Sequence, residues 1–297
     1  MADTIFLNRE LISGFAPERP EDGHKNTFGT ALICAGSEFM TGAAVMAAGS
    51  ALRSGAGLVR VFSEEKTLDA VRSLEPCALL SNRPEITEDL LGEAFSLCRN
   101  ADAVLIGSGI PRDYEHMEAL TATFLREAKT VVLDAGALSD DPGYVARLGE
   151  LLAKRPVPAV ITPHIGEFAG MLGMANSEVV ADAEELARKF SEKNKCVTVL
   201  KNHKTIVAVP EGKIFLYEGA NSGLAKGGSG DVLAGLITGL LAQGMEPYKA
   251  ACSAVYIHSK AGEAAAEDIG KRAMLPSDIV MYFPEGYREA GWSDDNG

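Results

Sequence analysis

Thr30-Ala31-Leu32-Ile33-Cys34-Ala35, then a helical stretch over residues 41–54, then Leu58-Val59-Arg60-Val61-Phe62: this succession decides the architecture. Both short runs are rich in β-branched residues and apolar almost throughout, as strands buried on two faces should be. A helix between such strands makes them parallel. Outward from this unit, the runs 103–106, 130–134, 159–162 and 197–201 repeat the strand pattern, and 114–128, 177–195, 231–242 and 249–266 repeat the helical one. The rhythm is that of an α/β protein with a mostly parallel sheet covered by helices. Near the end it changes: residues 204–210 and 213–218 flank Glu211-Gly212, a hairpin signal that predicts an antiparallel edge.

The 297 residues, 46% hydrophobic and 23% charged, are the balance of a globular chain with a large core. No Pro-, Gly- or Ser-rich linker and no repeat divides them, so one domain over 1–297 is expected. Residues 1–23, with Pro17, Pro20 and Glu21-Asp22-Gly23, read as a partly ordered lead-in, and 289–297 as a fraying polar tail. The opening residues carry no basic-then-apolar export pattern. The longest apolar run, 232–242, is shorter than the roughly 18 residues of a spanning helix. A cytoplasmic location away from membranes is expected. Five scattered cysteines, never in a Cys-x-x-Cys pair, read as small buried apolar residues in a reducing compartment. A net charge of -13 argues against nucleic acid and anionic membrane as partners. A phosphorylated small molecule is still allowed, held by backbone N–H groups and a few local cations.

Asn221-Ser222-Gly223-Leu224-Ala225-Lys226-Gly227-Gly228-Ser229-Gly230-Asp231 runs straight into the helical stretch that begins at Val232. Its glycines let a ligand approach the backbone, and the free N–H groups of a first helical turn form an anion site. A carboxylate in that turn, Asp231, can accept the proton of an attacking hydroxyl. The plainer reading is a glycine loop and an aspartate that stabilises the helix dipole. Against it, Gly235 and Gly239 fall on one helix face, each at about 1 kcal/mol relative to alanine, which points to close packing on the sheet and a rigid turn. Because a helix N-terminus favours carboxylate, Asp231 is expected to be ionised and a weak base. No Gly-x-x-x-x-Gly-Lys-Ser/Thr occurs, which excludes a P-loop. Gly107-Ser108-Gly109 opens like a dinucleotide fingerprint but has Arg112 at the third glycine position.

With this turn, Lys25-Asn26-Thr27-Phe28-Gly29, Ala51-Leu52-Arg53-Ser54-Gly55-Ala56-Gly57-Leu58-Val59, Ile161-Thr162-Pro163-His164-Ile165-Gly166-Glu167-Phe168, Leu200-Lys201 and Pro276-Ser277-Asp278-Ile279 stand in order over 24–283. Together they resemble the ADP/ATP-dependent NAD(P)H-hydrate dehydratase family of the ribokinase-like superfamily. The resemblance implies a three-layer α/β/α sandwich and repair of hydrated NADH or NADPH. It also implies an anion hole at Gly228, Ser229 and Gly230, with Asp231 as base at the substrate hydroxyl. Lys201, Asn202, His203, Lys204 and Thr205, with Gly230, would hold the adenine nucleotide; Ala43, Gly109, His164 and Asp231 would touch the hydrated nicotinamide nucleotide. His164 has an independent rationale, since open α/β sheets bind ligands at the carboxyl ends of their strands. His258 reads as a packed helical residue. Family members use ADP in bacteria and ATP in eukaryotes, and a homotetramer is implied; the apolar 41–54 and 249–266 helices are candidate interfaces. Mg2+ is expected from phosphoryl-transfer chemistry, its ligands unknown.

The chain departs from the family at Gly136, where a second aspartate is common, and at Ser222, Asn202 and Pro111. Two alternatives stay open: a kinase for a hydroxymethylpyrimidine or hydroxyethylthiazole, and a catalytically silent nucleotide-binding module.

Overall fold

The computed structural model describes residues 4–83 and 87–292. The chain runs through β1 (Thr4–Phe6), α1 (Arg9–Ser13), β2 (Thr30–Cys34), α2 (Thr41–Arg53), β3 (Leu58–Ser63), α3 (Glu65–Leu74), β4 (Leu79–Asn82), α4 (Thr87–Arg99) and β5 (Ala103–Ile106). It continues through α5 (Met117–Glu127), β6 (Thr130–Leu133), α6 (Pro142–Ala153), β7 (Val160–Ile161), α7 (Ile165–Leu172), α8 (Asn176–Ala181), α9 (Ala183–Asn194) and β8 (Val197–Leu200). The hairpin β9 (Thr205–Ala208) and β10 (Ile214–Tyr217) leads to α10 (Ser229–Ala242), α11 (Pro247–Asp268), α12 (Pro276–Met281) and α13 (Phe283–Ala290).

The ten strands form one sheet in the order β1-β10-β9-β8-β7-β6-β5-β2-β3-β4, and every pairing is parallel except those of β9 with its two neighbours. Alternate residues of a strand enter opposite cores: Ala31 and Ile33 join α2, α10 and α11 on one face, Leu32 and Cys34 join α4, α5 and α9 on the other. Burial on both faces explains the nearly continuous apolar runs. The architecture is the expected α/β/α sandwich with a mixed, mostly parallel sheet.

Several local expectations differ. The segment read as a lead-in supplies β1, which pairs in parallel with β10 beyond the hairpin and forms the edge of the sheet. The helix expected over 177–195 breaks at Asp182, whose φ of -125° and ψ of 31° are not helical. Four cysteines are buried, but Cys77 is exposed. Of the expected fraying tail, Glu289 and Ala290 belong to α13 and the Trp292 indole donates to the Ile12 carbonyl at 2.8 Å; residues 293–297 lie outside the described residues. The apolar faces of α2 and α11 are buried within the chain itself, so they offer no argument for an interface.

Gly235 and Gly239 do mark close packing, but against α2 rather than the sheet. A Cβ on Gly235 would stand 2.3 Å from the Ala47 carbonyl oxygen, and one on Gly239 2.0 Å from Ser54 Oγ. The Ser50 hydroxyl also donates to the Val232 carbonyl at 2.6 Å, fastening the first turn of α10 to α2. Gly235→Ala is therefore expected to destabilise by about 1–3 kcal/mol through overpacking, despite alanine's better helix propensity. Denaturant unfolding would register this as a lower midpoint with an unchanged slope.

Candidate active site

Polar residues follow the apolar strands at their carboxyl ends. Ser108 comes two residues after β5, Asp134 directly after β6, Thr162 after β7 and Lys201 after β8. Because these four strands are adjacent and parallel, the four side chains converge. The buried Asp134 carboxylate accepts from Ser108 Oγ at 2.8 Å, Thr162 Oγ1 at 2.7 Å and Lys201 Nζ at 3.0 Å. Ala135 holds a left-handed φ of 43° just beyond it, a strained turn that fixes the carboxylate's direction. The Lys201 side chain is 22% exposed. Burial pulls its pKa down, but Asp134, Glu167 and Asp231 outweigh this and leave it raised. Lys201 thus stays charged at neutral pH.

The turn before α10 meets this cluster from the side. Gly228 has a left-handed φ of 106°, which a side chain rarely adopts and which aims the first turn of α10 at the strand ends. Lys226 anchors the loop by donating to the Arg272 and Met274 carbonyls. Among the expected anion-hole donors, Ser229 N–H is already bonded to the Lys226 carbonyl at 3.2 Å. Gly230 and Asp231 are the next two residues of that turn, whose N–H groups have no partner one turn back along the helix.

Asp231 departs from the sequence expectation. Burial first and the Asp134 carboxylate second push its pKa up to about 7, while Lys201, Ser108 and its own backbone N–H only partly offset them. The helix N-terminus was expected to dominate; desolvation does. A carboxyl poised near 7 is a better general base at neutral pH than an ordinary one. If Asp231 accepts the proton, kcat/KM falls about tenfold per pH unit below an apparent pKa near 7, since only the ionised form can act. Initial rates between pH 5 and 9 check this; a plateau down to pH 5 would exclude Asp231 as the base.

Beside the turn lies a cavity of about 550 Å³, lined by His164, Lys201, Asn202, His203, Thr205, Ser229 and Gly230 and closed by α11 through Val255, His258 and Ser259. Lys204 is not part of that lining: its ammonium bonds Glu218 at 2.6 Å. His164 caps α7, its Nδ1 accepting from the Glu167 N–H at 3.1 Å, and its side chain is 58% exposed at the cavity edge. Ala43 and Gly109 meet elsewhere along the strand ends. Gly109 has φ 66°, and a Cβ there would stand 2.4 Å from that of Ala43, so both are small where the two backbones approach. Gly136 has no room for the second aspartate seen in the family, as a Cβ would stand 2.1 Å from the Ile110 carbonyl oxygen.

Among the described residues no group of three or more His, Cys, Asp or Glu side chains can hold a metal ion. Asp134 already accepts three hydrogen bonds. These residues fit a magnesium ion carried in on nucleotide phosphates better than one caged by protein. No helix among them is long and apolar enough to cross a membrane.

A carboxyl poised near neutrality, a helix N-terminus and a half-buried lysine at the carboxyl ends of parallel strands define an α/β protein whose strand-end site can bind an anion and accept a proton. More particularly, the chain belongs to the NAD(P)H-hydrate dehydratase family, whose model matches residues 31–285. It is 37% identical over 262 residues to the ADP-dependent (S)-NAD(P)H-hydrate dehydratase of Neisseria meningitidis serogroup B, covering 86% of this chain and 84% of that protein. It is 33% identical over 292 residues to the bifunctional NAD(P)H-hydrate repair enzyme Nnr of Moorella thermoacetica, covering 95% of this chain but 54% of that protein, so it spans about half the length of that relative. The structure of the Bacillus subtilis ADP/ATP-dependent NAD(P)H-hydrate dehydratase, co-crystallised with ATP and Mg2+, superposes with a TM-score of 0.86 at 31% identity, covering 97% of this chain and 99% of that one.

Proposed function

We propose that this chain dehydrates the S-form of hydrated NADH or NADPH, using ADP or ATP as phosphoryl donor. The observation that carries this reading is Asp231, half-buried, raised to about 7 and in the first turn of α10. Hydroxide is a poor leaving group from carbon 6 of the reduced ring. Asp231 takes the proton of that hydroxyl as its oxygen attacks the terminal phosphorus, and the nucleotide leaves one phosphate shorter. The ring nitrogen lone pair then expels phosphate, and loss of a neighbouring ring proton restores the dihydronicotinamide.

In this reading Gly230 and Asp231 N–H groups hold the transferring phosphate, with Gly228 and Ser229 setting their direction. Lys201, Asn202, His203 and Thr205 flank the nucleotide, and Ala43, Gly109 and His164 face the hydrated dinucleotide. A Mg2+ carried on the nucleotide would offset phosphate charge, and the Asp134 and Asp231 carboxylates, rather than the Lys201 ammonium, are the protein groups that could attract it. Family membership favours this reaction over phosphorylation of thiamine-precursor alcohols, and the poised Asp231 favours an active enzyme over a silent module. The test is incubation of purified hydrate with ADP and ATP separately, beside a hydroxymethylpyrimidine and a hydroxyethylthiazole with ATP. We expect recovery of the reduced ring's absorbance, faster with ADP, and no phosphorylated alcohol; phosphorylated alcohol without ring recovery would replace the reading by the kinase.

The reading also includes a cytoplasmic location and a homotetramer, supported by the family alone. Light scattering at working concentration is expected to give four times the 31.3 kDa chain mass. A monomer would count against it.

A further inference from the structure

We infer that His258 is a positioning residue for phosphoryl transfer: it fixes the peptide plane between Ser229 and Gly230 so that the Gly230 N–H presents to the phosphate. This rests on the dehydratase reading and adds a residue to its machinery. His258 lies on α11, 6% exposed, with its ring at the wall of the nucleotide-sized cavity. Its Nε2 stands 3.1 Å from the Ser229 carbonyl oxygen. A carbonyl only accepts, so the Nε2 hydrogen donates. Burial pushes the imidazole's pKa down to about 4, so at working pH the ring is neutral and its one proton sits on Nε2.

The consequence follows from peptide geometry. The C=O of Ser229 and the N–H of Gly230 are opposite ends of one rigid trans plane. Donation into that carbonyl fixes the plane's rotation and polarises the N–H at its far end. The neighbouring Ser229 N–H is taken by Lys226, so the Gly230 N–H is the first donor of the turn left for a ligand. The same peptide borders the site's cation: Lys201 Nζ lies 3.2 Å from where a Cβ on Gly230 would stand.

The experiment compares wild type with His258→Leu, which removes the donor, and His258→Gln, whose amide nitrogen reaches nearly as far as Nε2. His258→Asn, a methylene too short, takes the place of the leucine variant if that one does not fold. We expect the donor-lacking variant to lose about 10- to 100-fold in kcat, with nucleotide KM within threefold, because the contact matters most when charge develops. His258→Gln is expected to recover to within about fivefold of wild type. A folded donor-lacking variant with kcat within threefold of wild type overturns the inference, as does a loss confined to KM or a folded glutamine variant no better than leucine. A wild type inactive on hydrate with either nucleotide sinks the dehydratase reading, and this inference with it; an active wild type with unaffected variants sinks this inference alone.

Discussion

Asp231→Asn is expected to lower kcat about 100- to 10,000-fold, the usual range for removing a general base. Asparagine keeps the shape and can still sit in the first turn of α10, so nucleotide affinity should change little. Stability should move the other way. A carboxyl whose folded pKa is about 7, against an ordinary value near 3.8, binds more protons folded than unfolded between those limits. Its contribution to stability therefore falls as pH rises from about 4 to 7. Asn removes that fall, so the variant should melt higher than wild type above pH 7, with the gap closing toward pH 4. A folded variant that keeps more than a tenth of wild-type turnover removes Asp231 from the role of base.

Lys201→Met is expected to have the second largest effect, because this ammonium serves two carboxylates. Removing it leaves the buried Asp134 with only the Ser108 and Thr162 hydroxyls. Breaking a largely buried pair costs about 3 kcal/mol at the low end of the usual range, on the order of 5 °C in Tm for a chain of this size. The lysine's folded pKa is raised, so its stabilisation is complete at neutral pH and fades only above the ordinary lysine range. Loss of the same cation lets Asp231 rise further, moving the acid limb of the rate profile up by about one unit. At pH 7 that shift alone takes the ionised fraction from about one-half to about one-tenth, removing roughly four-fifths of the base. An unmoved limb would mean that Lys201 does not govern Asp231.

The layers of the fold were legible because strands buried on both faces leave nearly continuous apolar runs, as in β2, β5 and β6, with β3 interrupted only by Arg60 and β8 only by Thr198. β1 was not legible: three residues, Thr4–Phe6, carry no pattern, and their place beside β10 is set by a pairing far along the chain. Asp231 was found through its glycine-rich turn, but its basicity was not, since burial and the neighbouring Asp134 come from other parts of the sequence. Asp134, Ser108 and Thr162 were passed over as members of a cluster. A signal was present in each: a polar residue at or just past the end of a buried strand. Adjacent parallel strands bring such residues together. Lys204 stands inside a contiguous block in the sequence, but neighbours along a chain entering a strand point to opposite sides, and His203 and Thr205 line the cavity while the Lys204 ammonium bonds Glu218.

The most direct measurement is stoichiometric: purified hydrate and ADP with the wild-type chain, following reduced-ring absorbance and orthophosphate together. The expected result is one phosphate released per ring restored, with no restoration when nucleotide is left out. Ring recovery without nucleotide, or phosphate release without ring recovery, would contradict a dehydration that proceeds through phosphorylation of the ring hydroxyl with Asp231 as base.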